Sequence, residues 1–299
     1  MKVKRKGMVW GAFVADALAL GAHWVYNTRV IDKKFGRVER YLDPLTSYHA
    51  GKKKGDFTHY GDQLLLLLES VATSSGFDQV TFANAWQSFF KDYQGYRDKA
   101  SKTTLENMLA GNSLLESGSS SDDLAGAARI SPIVYAHAQD LDTAIQAVRS
   151  QTALTHNHPS VLESAEFFTR LAFKVLEGKR PSEAIPELLE KRFQDTEIAE
   201  AGFQGLASRE MDTRAAIAEF GQTCSVEAAF PGTVHVMVKF ENNFKDAMVE
   251  NVMAGGDSAA RGILAGMIIG AHLGLAAVPE DWLATLNAGP KIDRLLSKL

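Results

Sequence analysis

Residues 255–274 read GGDSAARGILAGMIIGAHLG and carry the strongest pattern in the chain. Four glycines recur there at every fourth position, namely Gly262, Gly266, Gly270 and Gly274. They form a stripe without side chains on one helical face. Each interior glycine costs about 0.5–1 kcal/mol relative to alanine, so four indicate that another backbone approaches closely. A similar stripe of small residues lies near the start of the chain, at Gly7, Gly11, Ala15 and Ala19. We therefore predict that the two ends of the chain meet in the core.

The rest of the chain is also predicted to be helical. Apolar residues recur at spacings of three and four in six segments: Leu64–Ala72, Phe82–Phe90, Leu105–Leu115, Leu124–Ala136, Val161–Leu176 and Ile198–Leu206. Pro159 and Pro181 stand where new helices should begin. The short run Val234–Val238 fits either a strand or a buried helix. The length of the loop Arg37–Thr58 indicates a functional segment, and the polar connector Gly118–Asp123 is expected to supply helix caps. Neither separates halves of different composition, so we predict one all-α domain over residues 1–299.

The composition is that of a folded globular protein, with 45% apolar and 23% charged residues. The 32 Lys and Arg against 36 Asp and Glu leave a net charge of −4, which gives no general attraction to nucleic acid or to an anionic membrane. Cys224 is the only cysteine, so an internal disulfide is excluded and a reducing compartment is indicated. We expect a cytoplasmic protein that binds neither nucleic acid nor membranes.

Two apolar stretches are similar to targeting or membrane segments. The basic run Lys2–Lys6, followed by apolar residues up to Leu20, is similar to a signal peptide, but Asp16 interrupts it and its small residues fit a packed helix. The stretch Gly262–Val278 contains His272 and is shorter than the roughly 20 residues that span a bilayer. Both stretches are predicted to be buried helices.

Two aspartates, Asp62 in His59–Gln63 (HYGDQ) and Asp257 in Gly255–Arg261 (GGDSAAR), follow glycines and precede apolar helices. As a helix N-cap, each would bond an orphan backbone N–H, which is worth about 1 kcal/mol. Alternatively, the two helix starts converge on one cleft. There the N–H groups of residues 258–260 would favour a phosphate, and the carboxylates would hold Mg²⁺. Composition and spacing leave both interpretations open.

Five motifs resemble, in order, those of the ADP-ribosylglycohydrolase family: Gly7–Gly21 (GMVWGAFVADALALG), His59–Gln63 (HYGDQ), Ala127–Pro132 (AARISP), Thr155–Pro159 (THNHP) and Gly255–Gly274. The resemblance spans nearly the whole chain. It implies a compact multi-helix orthogonal bundle of that family's type. Members are hydrolases with a two-magnesium centre that remove ADP-ribose from modified proteins or cleave related ADP-ribose conjugates.

The sequence departs from the family where the metals bind. The family's first ligand stretch reads Thr-Asp-Asp-Thr, and the matching positions here are Tyr60–Gln63 (YGDQ). Its second reads Gly-Gly-Asp-Thr-Asp-Thr, and Gly255–Ala260 (GGDSAA) stands there. Only Asp62 and Asp257 remain as carboxylates, too few to offset the charge of two Mg²⁺ ions. This pattern resembles a divergent branch that includes selenoprotein J and the J1-crystallins.

The resemblance thus implies a protein that hydrolyses or binds ADP-ribose or a related nucleotide sugar, free or attached to a protein. Asp62 and Asp257 would act as base or metal ligands, with at most one Mg²⁺. The residues expected around the ligand are Gly255, Gly256, Ser258, Tyr60, Gln63 and His156. Tyr60 and Gln63, which replace threonines, could fill the metal cavity. The alternative is a non-catalytic ligand-binding or crystallin-like structural protein on the same fold.

Four further residues have two interpretations each. Cys224 precedes a predicted helix, where the thiol pKa could be lowered, although a lone cysteine is more often a small buried hydrophobe. His156 is more often a hydrogen-bonded structural residue than a catalytic one. Arg129, between Ala128 and Ile130, is expected to be buried and paired with a carboxylate or phosphate. Asp16 would support a metal cleft or form hydrogen bonds in the core.

Overall fold

The computed structural model describes residues 2–299, and these form an all-α bundle without a β-strand. The helices are α1 (Lys2–Ala19), α2 (Thr28–Phe35), α3 (His59–Ser74), α4 (Gln79–Asp92), α5 (Lys99–Leu109), α6 (Ala125–Ala128), α7 (Ser131–Ala136), α8 (Leu141–Ala153), α9 (Pro159–Leu176), α10 (Pro181–Arg192), α11 (Glu197–Ala207), α12 (Thr213–Phe220), α13 (Val226–Lys239), α14 (Phe244–Met253), α15 (Ser258–Leu273), α16 (Glu280–Thr285) and α17 (Gly289–Leu296). Two short 3-10 turns lie at Ser47–His49 and Leu275–Ala277. The prediction of an all-α fold is confirmed.

The two ends of the chain meet in the core, as predicted. Helices α1 and α15 run antiparallel along their small-residue stripes, with Gly11 against Gly266 and Gly7 against Gly270. A methyl group added at Gly266 would overlap the carbonyl oxygen of Gly11. Both helices are buried along most of their length. In residues 2–299, we find no helix that combines the length and the apolar character needed to cross a bilayer.

Other helix boundaries differ in part from the sequence prediction. Val234–Val238 belongs to the buried helix α13, and α9 and α10 begin at Pro159 and Pro181 as predicted. The predicted helix Leu105–Leu115 is wrong in its second half, because α5 ends at Leu109. The predicted helix Leu124–Ala136 is two short helices, α6 and α7, separated at Arg129 and Ile130.

Three connections bring polar side chains to the N-terminal ends of α3 and α15. They are the turn after α1, the long segment between α2 and α3, and the segment from 221 to 225 before α13. Isolated β-bridges fix two of these connections to neighbouring segments: Val25 pairs with Gly256 in the turn before α15, and Ser225 pairs with Asp123. The candidate site therefore lies where segments that are distant in sequence meet.

Candidate functional site

The turn before α15 is fixed by backbone contacts. Gly255 and Gly256 have φ values of 72° and 65°, a left-handed conformation that favours glycine. The Trp24 N–H donates to the Gly256 carbonyl (2.9 Å), and the Asp257 N–H donates to the Gln222 carbonyl (2.9 Å). A methyl group at Gly256 would overlap Gln222. Both glycines thus shape the turn that presents Asp257.

Asp257 is the N-cap of α15, because its Oδ1 accepts a hydrogen bond from the Ala260 N–H (3.3 Å). The Ser258 N–H donates to the Gly256 carbonyl (2.9 Å). Residues 258–260 are fully buried. In this conformation the helix start therefore does not present its N–H groups to a phosphate, contrary to the cleft interpretation of the sequence.

Asp257 shares a small acidic cluster with Asp123 and Cys224. One ligand atom from each of the three lies within 4.8 Å of the other two. The Tyr60 hydroxyl lies 3.4 Å from a carboxylate oxygen of Asp123 and 3.4 Å from one of Asp257. Tyr60 is buried, and its hydroxyl lies between the two carboxylates.

Burial has the largest effect on the pKa values of the three groups in this cluster. It raises the pKa of Asp123 and of Asp257, and each carboxylate raises the pKa of Cys224 after burial itself. Two buried carboxyls this close together disfavour the state in which both are ionised. The sequence left open a lowered pKa for Cys224 at the start of α13, but burial and the two neighbouring acids raise this pKa instead.

Asp62 lies in a different environment from Asp257. Helix α3 begins at His59 with Thr58 as its N-cap, so the prediction that Asp62 opens this helix is wrong by one turn. The Lys52 ammonium lies 2.5 Å from Asp62 Oδ2, and the Tyr93 hydroxyl donates to the same oxygen at 2.5 Å. Burial raises the pKa of Asp62, and Lys52 opposes this.

Asp16 accepts two hydrogen bonds from Thr58, from its N–H (2.8 Å) and its hydroxyl (2.6 Å). It is fully buried, and burial raises its pKa to about 7. A side chain at Gly61 would overlap the Asp16 carboxylate. The space that a second aspartate of α3 would need is therefore occupied by Asp16.

Gln63 belongs to a separate buried polar network. Its Oε1 accepts hydrogen bonds from Trp86 Nε1 (2.9 Å) and from the Arg129 guanidinium. Arg129 also donates to Thr155, whose hydroxyl lies 2.9 Å from His156 Nδ1. Arg129 is thus buried, as predicted, but its direct partners are an amide and a hydroxyl. Burial lowers the pKa of Arg129 to about 10 and that of His156 to about 3.

Three histidines, His23, His49 and His59, form a second buried cluster beside Asp257. One ring nitrogen of each lies within 4.8 Å of the other two. The His23 Nδ1 lies 3.6 Å from Asp257 Oδ1, and the His59 Nε2 lies 3.5 Å from Asp98 Oδ2. Burial lowers the pKa of His23, and it lowers that of His49 to about 3.

Above the histidines lies an aromatic wall made of Trp24, Tyr48 and Tyr96. Each pair of rings packs edge to face with centroids 4.9–5.4 Å apart. Tyr48 is 50% exposed, and Trp24 stacks on His23 with a centroid distance of 4.5 Å. Trp24 has a positive φ of 60°; such strained backbone is concentrated at functional sites. The wall is the solvent-facing side of the candidate site.

The residues present do not fit a two-magnesium centre. Mg²⁺ requires a near-octahedral set of oxygen ligands. Here Asp62 is paired with Lys52, and the cluster of Asp123 and Asp257 includes the thiol of Cys224. Gly61 and Ala259 supply no ligand atom from their side chains. A single Mg²⁺ would have to use Asp123 and Asp257 and displace the Tyr60 hydroxyl.

The sequence analysis missed most of this site, including Lys52, Asp123, His23, His49 and the three residues of the aromatic wall. Lys52 and His49 lie in the loop Arg37–Thr58, whose length alone indicated a functional segment. Asp123 lies in the polar connector that we interpreted as a source of helix caps. None of them has a local spacing that distinguishes it from a surface residue, so only the fold brings them together.

Comparison with known proteins is consistent with this architecture. Crystallin J1A of Tripedalia cystophora is 24% identical over 320 residues, which cover 100% of this chain and 96% of that protein. An uncharacterised protein of Archaeoglobus fulgidus is 24% identical over 302 residues, with the same coverage. The solved structure of an ADP-ribosylglycohydrolase-related protein complex matches 99% of this chain and 96% of its own, with a TM-score of 0.74 and 22% identity. The sequence model of the family described as ADP-ribosylglycohydrolase matches residues 2–299. The chain therefore belongs to the ADP-ribosylglycohydrolase family.

Proposed function

We propose that this protein binds ADP-ribose or a related nucleotide sugar, free or attached to a protein, without the two-magnesium centre of its family. The observation that carries the proposal is the partly exposed aromatic wall of Trp24, Tyr48 and Tyr96, which packs on the histidine cluster beside Asp257. Stacking on an aromatic ring contributes about 1–3 kcal/mol per nucleobase. Family membership supports the ligand class.

A positive side chain beside the wall is suited to a phosphate contact. The Lys102 ammonium lies 6.0 Å from the centre of the Tyr96 ring and is exposed. Lys52 lies near His49 as well, but it is already paired with Asp62. Lys102 therefore replaces the closed N-terminus of α15 as the expected phosphate contact.

The same site argues against magnesium-dependent hydrolysis. Protein groups already occupy the positions of the counter-ions, because Lys52 neutralises Asp62 and the Tyr60 hydroxyl bridges Asp123 and Asp257. Asp257 is fully buried, so its carboxylate is not exposed to activate water for attack on a ligand at the wall. We therefore expect binding to be independent of Mg²⁺ and hydrolysis of an ADP-ribosylated protein to be absent or slow.

Calorimetric titration with ADP-ribose tests the proposal, once in millimolar Mg²⁺ and once in EDTA. We expect the same Kd in both buffers and about tenfold weaker binding for Tyr48→Ala, from the loss of stacking. Phe203→Ala is the matched control, because Phe203 is also a partly exposed aromatic residue (41%) but lies on α11. A requirement for Mg²⁺, or no binding at all, would contradict the proposal.

A structural role is the second candidate. It is favoured by the crystallin relatives, J1A and J1B of Tripedalia cystophora, which match 100% of this chain at 24% and 23% identity. This role predicts no nucleotide binding together with high solubility at high protein concentration. Light scattering as a function of concentration, measured beside the titration, separates the two candidates.

A further inference from the structure

The cluster of His23, His49 and His59 has no counterpart in the magnesium site that the family implies. All three side chains are at most 2% exposed. Three of their six ring nitrogens, His23 Nε2, His49 Nε2 and His59 Nδ1, are buried without a hydrogen-bond partner, and two others face carboxylates. Buried polar atoms without a partner are uncommon in proteins and need an explanation.

We propose that these three histidines bind one divalent transition-metal ion, with Zn²⁺ as the best fit. Three imidazoles with an open fourth position are a recurring ligand set for Zn²⁺. Nitrogen donors favour zinc, copper, nickel and cobalt over magnesium and calcium. The inference does not depend on the proposed nucleotide function.

The carboxylates around the cluster fit this proposal. A metal-binding histidine commonly directs its second ring nitrogen to a carboxylate, which orients the ring and raises its basicity. Here the His59 Nε2 faces Asp98 at 3.5 Å, and the His23 Nδ1 faces Asp257 at 3.6 Å. We therefore expect His59 to bind the ion through Nδ1 and His23 through Nε2.

The spacing requires only a small closure. Zn–N bonds of about 2.0–2.1 Å in a tetrahedral site place nitrogens about 3.4 Å apart, whereas the three here lie within 4.8 Å of one another. His49 ends a short 3-10 turn in a long connection, where the backbone adapts more readily than in a helix. His59 is the first residue of α3 and is held more firmly.

Both positive and negative side chains lie near the histidine cluster, with opposite effects on cation binding. Lys52 and Arg261 lie close enough to lower the pKa of His49 and His23, respectively. Their charges are opposed by carboxylates, since Lys52 contacts Asp62 and Asp257 raises the pKa of Arg261 against the effect of burial. Asp98 adds a further carboxylate at His59, so the charges around the cluster are compatible with a bound divalent cation.

Equilibrium dialysis of the purified full-length chain against Zn²⁺, after removal of bound metals with a chelator, tests the proposal. We expect one equivalent of zinc in the wild type and an affinity reduced on the order of 100-fold in His49→Asn. Asp98→Asn, which removes only the outer partner, should weaken binding about tenfold. The matched control is His235→Asn, because His235 is equally buried but both its nitrogens are hydrogen-bonded, to Ser208 and Thr213.

The absence of zinc binding by the wild type would overturn the proposal, and so would unchanged binding by His49→Asn. A Cys224→Ala variant should bind zinc like the wild type; loss of binding there would place the metal at Asp123, Cys224 and Asp257 instead. If His49→Asn does not fold, X-ray absorption of the zinc-loaded wild type decides. Imidazole scattering without sulfur supports the proposal, whereas a sulfur ligand overturns it.

Discussion

At the scale of single residues, cationic and hydroxyl side chains contact the carboxylates that the family resemblance would assign to metal ions. Lys52 contacts Asp62, and the Tyr60 hydroxyl lies between Asp123 and Asp257. Asp16 occupies the space beside Gly61 that another aspartate would need. These contacts leave no room beside Gly61 for a further carboxylate and give Asp62 a partner within the protein.

The raised pKa of Asp16 can be tested through the pH dependence of the free energy of unfolding. Burial in the folded protein raises the pKa of Asp16 from 3.8 to about 7. At a pH between these two values, Asp16 is therefore protonated in the folded state and ionised in the unfolded state. Stability due to Asp16 therefore falls as pH rises from about 4 to about 7, by roughly 2–3 kcal/mol between pH 5 and pH 7. Urea unfolding of the wild type across this range should show the effect.

The variant Asp16→Asn should remove this contribution to the pH dependence. Asparagine imitates the protonated acid, because Oδ1 can accept from the Thr58 N–H while Nδ2 donates to the Thr58 hydroxyl. We expect the stability difference between mutant and wild type to shift by about 2–3 kcal/mol in favour of the mutant from pH 5 to pH 7. A difference that does not change with pH would show that Asp16 has an ordinary pKa.

Gln63 tests whether a residue predicted at the ligand site acts structurally. Gln63→Leu removes the acceptor for Trp86 Nε1 and for the buried Arg129 guanidinium, which should cost about 3 kcal/mol in the free energy of unfolding. Gln63→Glu keeps an acceptor and adds a counter-charge for Arg129, so it should lose less than half as much. Denaturant titration measures both. Unchanged stability in Gln63→Leu with weakened ADP-ribose binding would contradict the structural role.

At the scale of secondary-structure elements, the antiparallel pair α1 and α15 is the main support of the site. The pair is close because its facing residues have almost no side chains, as at Gly11 and Gly266. The turn at the start of α15 then carries Asp257, and the turn after α1 carries His23 and Trp24. A small shift between these helices would therefore separate the histidine cluster from the acidic cluster.

Alanine substitutions along α15 should have graded effects. Gly266→Ala forces a methyl group into the Gly11 carbonyl, and because two helix backbones must separate, we expect a loss of about 3 kcal/mol or more. Gly262→Ala is the control, since the nearest atom to its added methyl group is the Asn251 side-chain nitrogen at 2.9 Å. Displacing that amide weakens its hydrogen bond to the Ser258 carbonyl but does not force two helix backbones apart. Gly262→Ala should lose less than half as much. Equal losses in chemical denaturation would contradict the close backbone contact.

The sequence predicted the elements better than it predicted the site. A four-residue glycine repeat has one physical explanation, close backbone packing, and it identified both partner helices. Local spacing also identified the starts of α9 and α10 at their prolines. It could not show that Lys52 reaches Asp62 or that His23, His49 and His59 converge, because these contacts depend on turn geometry and on tertiary packing over long sequence separations.

At the scale of the whole molecule, the union of the two chain ends predicts cooperative unfolding. The buried apolar cluster runs from Met8 to Leu296, so loss of α1 or α15 would expose the centre of the core. We expect one unfolding transition, with the same urea midpoint for tryptophan fluorescence and far-UV circular dichroism. Gly266→Ala should lower both midpoints together. Transitions that separate by probe, or a mutant that shifts only one of them, would show that residues 1–299 form more than one cooperative domain.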